Sequence, residues 1–184
     1  MKTILITGGA GFIGSNMALK LIAKGYQVTV LDNLSPQIHG KEPEMTSPLY
    51  QSIKDKVNFI NGSVTSRTDW LKALSGVDAI VHLAAETGTG QSMYEIDRYT
   101  KVNIGGTSLM LDILANSDHK VKKIVVAASR AIYGEGRYLS KEMGYVYPLS
   151  RTEECLVKGD FECKYENCNE ALELVATTED SKIH

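Results

Sequence analysis

The sequence contains no long hydrophobic run, few cysteines and no excess of charge of either sign. No apolar stretch approaches the roughly 20 residues of a membrane-spanning helix, and Met1-Lys2 leads directly into a strand-like run, which argues against a signal peptide. The 20 basic and 22 acidic residues give a net charge of -2, which disfavours nucleic-acid and anionic-membrane partners. Three cysteines, an odd number, are typical of a reducing compartment rather than of a disulfide framework. We therefore expect a cytoplasmic protein.

Short apolar runs and helical spacings alternate through the first 128 of the 184 residues. The apolar runs are typical of strands that are buried on both faces. Strands are predicted at 3–7, 28–31, 57–60, 79–83 and 124–127, and helices at 11–24, 66–74 and 91–115. This alternation predicts the α/β class, a doubly wound parallel sheet with helices on both faces.

Two stretches depart from this alternation. Residues 33–51 contain three of the four prolines, and we predict a loop there. From about Gly134 the alternation fades, and polar and charged residues dominate the end of the chain. We therefore divide the chain into a domain at 1–150 and a polar insertion or tail at 151–184.

A glycine-rich turn follows the first predicted strand and opens the first predicted helix. Gly8, Gly11 and Gly14 recur with two residues between neighbours. The first glycine permits a tight turn, the second lets the backbone approach a pyrophosphate, and the third lets the helix pack close to the sheet. The pyrophosphate then lies on the positive end of the helix. This context predicts a dinucleotide site, with Phe12 and Ile13 beside the cofactor.

Asp32 ends the second predicted strand, 18 residues after Gly14. A carboxylate at this position accepts hydrogen bonds from the adenosine ribose hydroxyls, and it repels a 2′-phosphate. No Arg or Lys follows within the next several residues to offset that repulsion. The sequence therefore predicts NAD rather than NADP, with Asn33 beside Asp32 in the same site.

Four later segments complete a set of motifs. They are Gly62-Ser63-Val64, His82-Leu83-Ala84-Ala85, Val102-Asn103-Ile104-Gly105-Gly106-Thr107 and Ala127-Ala128-Ser129-Arg130-Ala131-Ile132-Tyr133-Gly134. Together with the glycine-rich turn, they resemble extended short-chain dehydrogenases/reductases, the NAD-dependent epimerase/dehydratase family, over about residues 1–150. The resemblance implies a Rossmann fold, and it assigns to the cofactor site Ser63, Val64, Leu83, Ala84, Ala85 and Asn103, the last bracing the active-site loop. Ser63 stands where the family usually has an Asp that contacts the adenine amino group.

The resemblance also implies a chemistry. In this family a Tyr phenolate removes a sugar hydroxyl proton, a Lys four residues later lowers the pKa of that Tyr, and a Ser or Thr hydroxyl stabilises the developing charge. Ser129 matches this catalytic hydroxyl. Thr87 and Arg130 are placed at the substrate sugar, and Tyr133 either packs beneath the site or contacts substrate.

The residues after Ser129 bear on the reaction type. Sugar 4,6-dehydratases that resemble this chain have acidic residues directly after the hydroxyl, whereas Arg130 and Ala131 are basic and neutral. We therefore favour an epimerase over a dehydratase or reductase of the same family. The run 85–92 and the polar insertion after residue 150 are most similar to 4-epimerases of the dTDP-L-rhamnose type, which implies a dTDP- or UDP-linked sugar as substrate. The family also implies a possible homodimer through the predicted helix 91–115.

The Tyr-x-x-x-Lys pair itself does not follow the fifth predicted strand. Only Tyr50 has a Lys at the fourth position, Lys54, and it lies between the second and third predicted strands, so we treat the match as chance. We expect a fragment that lacks the C-terminal substrate lobe, binds NAD and does not turn over sugar. The alternative is a non-catalytic NAD-binding module or redox sensor, which the retention of Ser129 disfavours.

The end of the chain contains residue types that bind zinc, namely Cys155, Cys163, Cys168 and His184. The usual zinc signature needs two tight pairs of ligands, and here only one loose pair exists. We therefore predict no metal site, with free thiols in a polar loop.

Overall fold

The structure, a computed structural model, describes residues 2–165 and 171–183. The chain divides into two compact units, 1–127 and 128–184. The strands of the first unit are β1 (Thr3–Thr7), β2 (Gln27–Asp32), β3 (Asn58–Asn61), β4 (Ala79–His82) and β5 (Lys123–Val126). They form one parallel sheet in the order β3-β2-β1-β4-β5, which confirms the predicted doubly wound fold.

The strand order reverses beside β1. β1 pairs with β2 on one side, where Thr7 lies opposite Leu31, and with β4 on the other, where Thr7 lies opposite His82. Because all five strands are parallel, their carboxyl ends meet at one edge of the sheet. In open α/β sheets, ligands bind at this edge where the order reverses.

Helices of the first unit cover its sheet. They are α1 (Phe12–Ala23), α2 (Pro36–His39), α3 (Pro43–Thr46), α4 (Pro48–Ile53), α5 (Arg67–Ala73), α6 (Thr89–Ser92), α7 (Ile96–Tyr99), a π-helical segment (Thr100–Gly105) and α8 (Gly106–Asn116). The second unit contains a 3-10 helix (Arg130–Tyr133) and α9 (Glu153–Val157). None of these described helices combines the length and apolar character that crossing a bilayer requires.

Two hydrophobic cores lie on opposite faces of the sheet, because successive side chains of a strand point to opposite sides. Leu5 belongs to one core, together with Trp70 of α5 and Met110 of α8. Ile6 belongs to the other, together with Ala18 of α1 and Ile53 of α4. This arrangement confirms the prediction of helices on both faces.

The loop predicted at 33–51 is wrong. This stretch contains all of α2 and α3 and most of α4, and these helices begin at Pro36, Pro43 and Pro48. Proline suits the first helical position, since its missing N–H has no intrahelical acceptor there and its φ is already helical. The prolines that indicated a loop therefore mark the starts of three short helices.

The single helix predicted at 91–115 is also interrupted. α6 ends at Ser92, and a continuous helical run begins only at Ile96. Within that run the backbone widens into the π-helical segment Thr100–Gly105 before α8 continues to Asn116. Hydrophobic spacing alone does not detect such a change of helical period.

The helix predicted at 66–74 is confirmed as α5. The Ser66 hydroxyl accepts a hydrogen bond from the Asp69 N–H at 3.3 Å, as expected of an N-cap. The predicted end of α1 is confirmed as well, because Gly25 follows it with a φ of +83°.

The second unit contains a small antiparallel sheet. Its strands are β6 (Tyr138–Ser140), β7 (Gly144–Val146) and β8 (Glu173–Leu174), in the order β7-β6-β8. The predicted boundary at residue 150 lies inside this unit, because β8 pairs with β6 and so joins residues from both sides of that position.

Candidate cofactor-binding site

The glycine-rich turn leaves β1 at the point where the strand order reverses. Gly8 has a φ of +66°, and its N–H donates to the Leu31 carbonyl at 2.9 Å. A Cβ on Gly8 would lie 2.8 Å from the backbone nitrogen of Ala84. The turn therefore packs directly against the chain that leaves β4, and both the conformation and the space require glycine.

The other two glycines of the motif differ in their surroundings. A Cβ on Gly14 would lie 2.4 Å from the Gly8 carbonyl oxygen, so α1 packs directly on the turn. A Cβ on Gly11 would meet only that same oxygen, at 3.3 Å. Gly8 and Gly14 thus have the backbone roles predicted for them, and Gly11 is the least crowded of the three.

Gly9 is a further structural requirement, and it was not singled out from the sequence. A Cβ there would lie 2.6 Å from Val30 Cγ1 on the neighbouring strand. The only signal for Gly9 in the sequence is that it directly follows Gly8. Adjacent glycines are common in glycine-rich turns, so this signal is weak.

The start of α1 offers hydrogen-bond donors. Gly11 caps the helix without a side-chain hydrogen bond, and the first turn contains no acidic residue. Helix geometry leaves the N–H groups of Phe12, Ile13 and Gly14 without intrahelical acceptors. The side chains of Phe12 and Ile13 are 74% and 62% exposed. Free donors and the positive end of the helix dipole suit a pyrophosphate.

Asp32 is held beside this turn by two backbone groups. One carboxylate oxygen accepts from the Ala10 N–H and the other from the Leu34 N–H, both at 2.9 Å. Asp32 is buried, whereas Asn33 is exposed and accepts the Ser35 N–H at 3.1 Å. Each carboxylate oxygen has a second lone pair, so Asp32 keeps the capacity to bind ribose hydroxyls.

A chain of hydrogen bonds joins β1, β4 and α8 beneath the site. The Thr7 hydroxyl accepts the N–H groups of Leu83 and Ala84, each at 3.2 Å, and lies 2.7 Å from Nδ1 of His82. On the other side of the ring, His82 Nε2 lies 3.2 Å from the Thr107 hydroxyl, which donates to the Asn103 carbonyl at 2.9 Å.

These directions fix the tautomer of His82. Since Thr7 accepts two N–H groups, its hydrogen points to Nδ1, and the proton of the neutral ring is on Nε2. Burial also lowers the pKa of His82 below its ordinary value of 6.5. The hydrogen bonds that orient the backbone of Leu83 and Ala84 therefore need a neutral His82 imidazole.

The π-helical segment directs Asn103 to the loop after β4. Its carboxamide accepts the Glu86 N–H at 2.8 Å and donates to the Glu86 carbonyl at 3.1 Å. Asn103 therefore braces this loop just before Thr87, while Ala85 and Thr87 are exposed. Direct contacts of Asn103 with a cofactor and of Thr87 with a sugar remain predictions.

Ser63 lies in a tight turn after β3. Its hydroxyl accepts the Thr65 N–H at 3.1 Å, and its own N–H donates to Asp69 at 3.0 Å. Val64 is buried, and its carbonyl accepts the Trp70 indole N–H at 2.7 Å. Contact of either residue with adenine remains a prediction.

A polar cluster that was not predicted joins the chain after β2 to the chain after β4. The carboxamides of Gln37 and Gln91 exchange hydrogen bonds, and the Tyr99 hydroxyl donates to Gln91 at 2.9 Å. Arg98 pairs with Glu86 and with Glu95, each at 2.8 Å. Scattered polar residues carry no periodic signal, so the sequence did not indicate this cluster.

Ser129, Arg130 and Tyr133 belong to the second unit. Ser129 caps the 3-10 helix, where its oxygen accepts the Ala131 N–H at 3.1 Å. Ser129 and Arg130 are exposed, and Tyr133 is half-buried. The predicted catalytic hydroxyl is thus accessible, and its own hydrogen is not used in the capping bond.

The chance match Tyr50-x-x-x-Lys54 is a structural cluster. The Tyr50 hydroxyl donates to Glu44 at 3.1 Å, and Lys54 forms an ion pair with the same carboxylate. Burial and the bond to Glu44 raise the pKa of Tyr50. A catalytic Tyr of this family needs the opposite shift, so this pair is not the missing one.

The cysteines that the structure describes are free thiols, Cys155 half-buried and Cys163 buried. Over residues 2–165 and 171–183, no group of three or more His, Cys, Asp or Glu side chains is placed to hold a metal ion. Cys168 and His184 lie outside the described residues.

Known proteins match most of this chain. Residues 4–154 match the NAD dependent epimerase/dehydratase family. A dTDP-L-rhamnose 4-epimerase from Burkholderia thailandensis is 39% identical over 152 residues, which cover 82% of this chain and 40% of that protein. A UDP-glucose 4-epimerase from Drosophila melanogaster is 34% identical over 141 residues, which cover 74% of this chain and 40% of that protein.

Solved structures agree. A UDP-glucuronic acid 4-epimerase variant from Bacillus cereus aligns with a TM-score of 0.61 and 29% identity, over 72% of this chain and 41% of that one. A UDP-glucose 4-epimerase from Brucella ovis in complex with NAD aligns with a TM-score of 0.56 and 28% identity, over 73% and 38%. This chain spans about 40% of the length of the curated relatives it matches. Because the family match extends over more than half of its residues, the chain belongs to the NAD dependent epimerase/dehydratase family.

Proposed function

We propose that this chain is the cofactor-binding part of a nucleotide-sugar 4-epimerase. The family is NAD-dependent, and the site described above has the features that NAD needs. The observation that carries the proposal is the position of the glycine-rich turn and Asp32. Together they bring free helix N–H groups and a carboxylate suited to ribose hydroxyls to the edge where the strand order reverses, and this supports the proposal.

Each part of the site has a task toward the cofactor. The N–H groups of Phe12, Ile13 and Gly14 bind the pyrophosphate, and Asp32 accepts the adenosine ribose hydroxyls. The bond of Thr7 to Leu83 and Ala84 fixes the backbone on the other side of the turn. NAD held there would supply reversible hydride-transfer chemistry, by which a 4-epimerase oxidises a sugar carbon and reduces it again from the opposite face.

The residues in the second unit favour epimerisation. The accessible Ser129 hydroxyl is suited to bond the sugar oxygen that loses its proton. Arg130 and Ala131 offer no carboxylate with which to expel water from the sugar, as a dehydratase must. Substrates linked to dTDP or UDP are proposed because the similar proteins carry those names.

This chain alone is proposed to bind NAD without turning over sugar. Its only Tyr-x-x-x-Lys is the Tyr50 cluster, in which the pKa of the Tyr is raised. That observation also favours a second candidate function, a non-catalytic NAD-binding module. The two candidates differ in whether Ser129 has a sugar to bind.

A homodimer through the helical run 96–116 is part of the proposal. Ile104 and Leu111 on that run are 66% and 51% exposed. Apolar side chains at such positions gain free energy when a second copy covers them. Sedimentation equilibrium of the chain and of an Ile104→Glu/Leu111→Glu variant tests this, and an unchanged mass would contradict it.

Calorimetric titration of the purified chain with NAD tests the proposed function. We expect one NAD per chain and no conversion of dTDP-L-rhamnose or UDP-glucose. Gly11→Val should weaken the affinity for NAD at least tenfold, because its side chain fills the least crowded part of the glycine-rich turn. Gly105→Ala should leave the affinity unchanged, because its Cβ would meet only the Thr100 carbonyl oxygen, at 3.7 Å. A folded chain that binds no NAD would refute the proposal, and measurable epimerisation would refute the inactivity of the chain.

A further inference from the structure

His39 is a buried histidine that the proposed function does not yet use. It ends α2 and is only 3% exposed. Its Nε2 lies 3.8 Å from the Oδ1 atom of Asp32, and its Nδ1 lies 2.8 Å from the Ser47 hydroxyl. The imidazole therefore stands between the ribose-binding carboxylate and the start of α4.

The partners of His39 favour a proton on the nitrogen that faces Asp32. Ser47 caps α4, and its oxygen accepts the Tyr50 N–H at 3.3 Å. The Ser47 hydrogen is then available to Nδ1, and a neutral ring that accepts it carries its own proton on Nε2. The 3.8 Å distance between Nε2 and the carboxylate oxygen is too long for a hydrogen bond. An N–H at that distance still attracts the negative charge.

Asp32 is thus held from three directions. The Ala10 and Leu34 N–H groups bond its two oxygens, and His39 covers the side of Oδ1. The first two contacts are made by the backbone and are fixed by the fold. The third is made by a side chain, so its contribution can be removed by substitution.

We propose that His39 is a positioning residue that orients Asp32 toward the adenosine ribose and thereby sets the preference for NAD over NADP. The proposal rests on the proposed NAD binding. His39 is too deeply buried to reach a ligand, so it acts through Asp32. An oriented carboxylate favours the 2′-hydroxyl of NAD, and it gives nothing to the 2′-phosphate of NADP.

Two substitutions separate positioning from simple space filling. His39→Gln keeps a side-chain amide that extends to the Nε2 position facing Asp32. His39→Asn keeps an amide only at the Nδ1 position facing Ser47. We expect His39→Asn to reduce the ratio of NADP to NAD dissociation constants about threefold, because the 3.8 Å contact attracts the carboxylate without forming a hydrogen bond, and His39→Gln to retain most of that ratio.

The wild-type chain is titrated with NAD first, because failure there would refute the proposed function and not the role of His39. Thermal unfolding of each variant confirms that it is folded. Equal weakening of NAD and NADP in both variants, or an unchanged ratio in His39→Asn, would overturn the positioning role. Asp32→Ala gives the reference ratio for a chain without the carboxylate.

Discussion

The side-chain amides of Gln37 and Gln91 donate hydrogen bonds to each other, at 3.1 and 3.2 Å, although 54 positions separate them in the sequence. Gln37 follows β2 and Gln91 follows β4, and β1 lies between these two strands. The pair therefore crosses the carboxyl end of β1, where the glycine-rich turn begins. It joins the two chain segments that flank the proposed cofactor site.

Breaking this amide pair should loosen both segments together. Gln37→Ala removes both hydrogen bonds with Gln91 and the 3.4 Å bond from Arg98. At about 0.5 kcal/mol for each of these exposed bonds, amide hydrogens in residues 33–40 and 86–99 should exchange roughly tenfold faster. Hydrogen exchange with mass spectrometry measures this. Asn116→Ala is the matched control, because Asn116 bonds only to Asp112 in the described contacts. Faster exchange on one side alone would contradict the coupling.

The packing of Gly9 against Val30 predicts a rescue. Gly9→Ala should destabilise the chain by about 1–3 kcal/mol, since its Cβ would lie 2.6 Å from Val30 Cγ1. Gly9→Ala combined with Val30→Ala should be less unstable than the sum of the two single changes, because the second change removes the obstructing methyl groups. Urea unfolding measures all three variants. Strict additivity would show that the clash lies elsewhere.

The Thr7 hydroxyl should be important for stability. Thr7→Val keeps the shape but removes the hydroxyl that accepts the half-buried Ala84 N–H, whereas the Leu83 N–H keeps the Thr7 carbonyl at 3.1 Å, so the change should cost about 1 kcal/mol. Thr7→Ser keeps the hydroxyl and should recover most of that loss. Urea unfolding of the two variants provides the comparison, and equal stabilities would argue against the hydrogen-bond chain.

His82 should make the stability of the chain depend on pH. Burial lowers its pKa in the folded state, so between that lowered pKa and 6.5 the unfolded chain binds more protons than the folded one. The free energy of unfolding should therefore fall as the pH drops below 6.5. His82→Asn should flatten this part of the profile, measured as urea unfolding from pH 7.5 to 5.5. A profile unchanged by the substitution would assign the dependence to other groups.

The sequence predicted those features that depend on local periodicity. The strands β1 to β5 stood out as apolar runs, and Gly8, Gly14 and Asp32 stood out by spacing; all appear in the structure close to the predicted positions. The short helices after β2 did not, because their prolines favour a loop and a helix start equally well. Gln37 was missed because its partner Gln91 is 54 positions away in the sequence. His39 was missed because its contacts with Asp32 and Ser47 follow no periodic pattern.

The π-helical segment Thr100–Gly105 has one more consequence, for insertions and deletions. Removing one residue there would restore the ordinary α-helical period and rotate the two ends of the run by about 100° relative to each other. Asn103, which holds Glu86, and Thr107, which holds His82, would no longer reach both partners at once. The brace of the loop after β4 therefore depends on the length of this segment and not on the side chain of Ile104, and a relative with a one-residue gap here would have to brace that loop by other means.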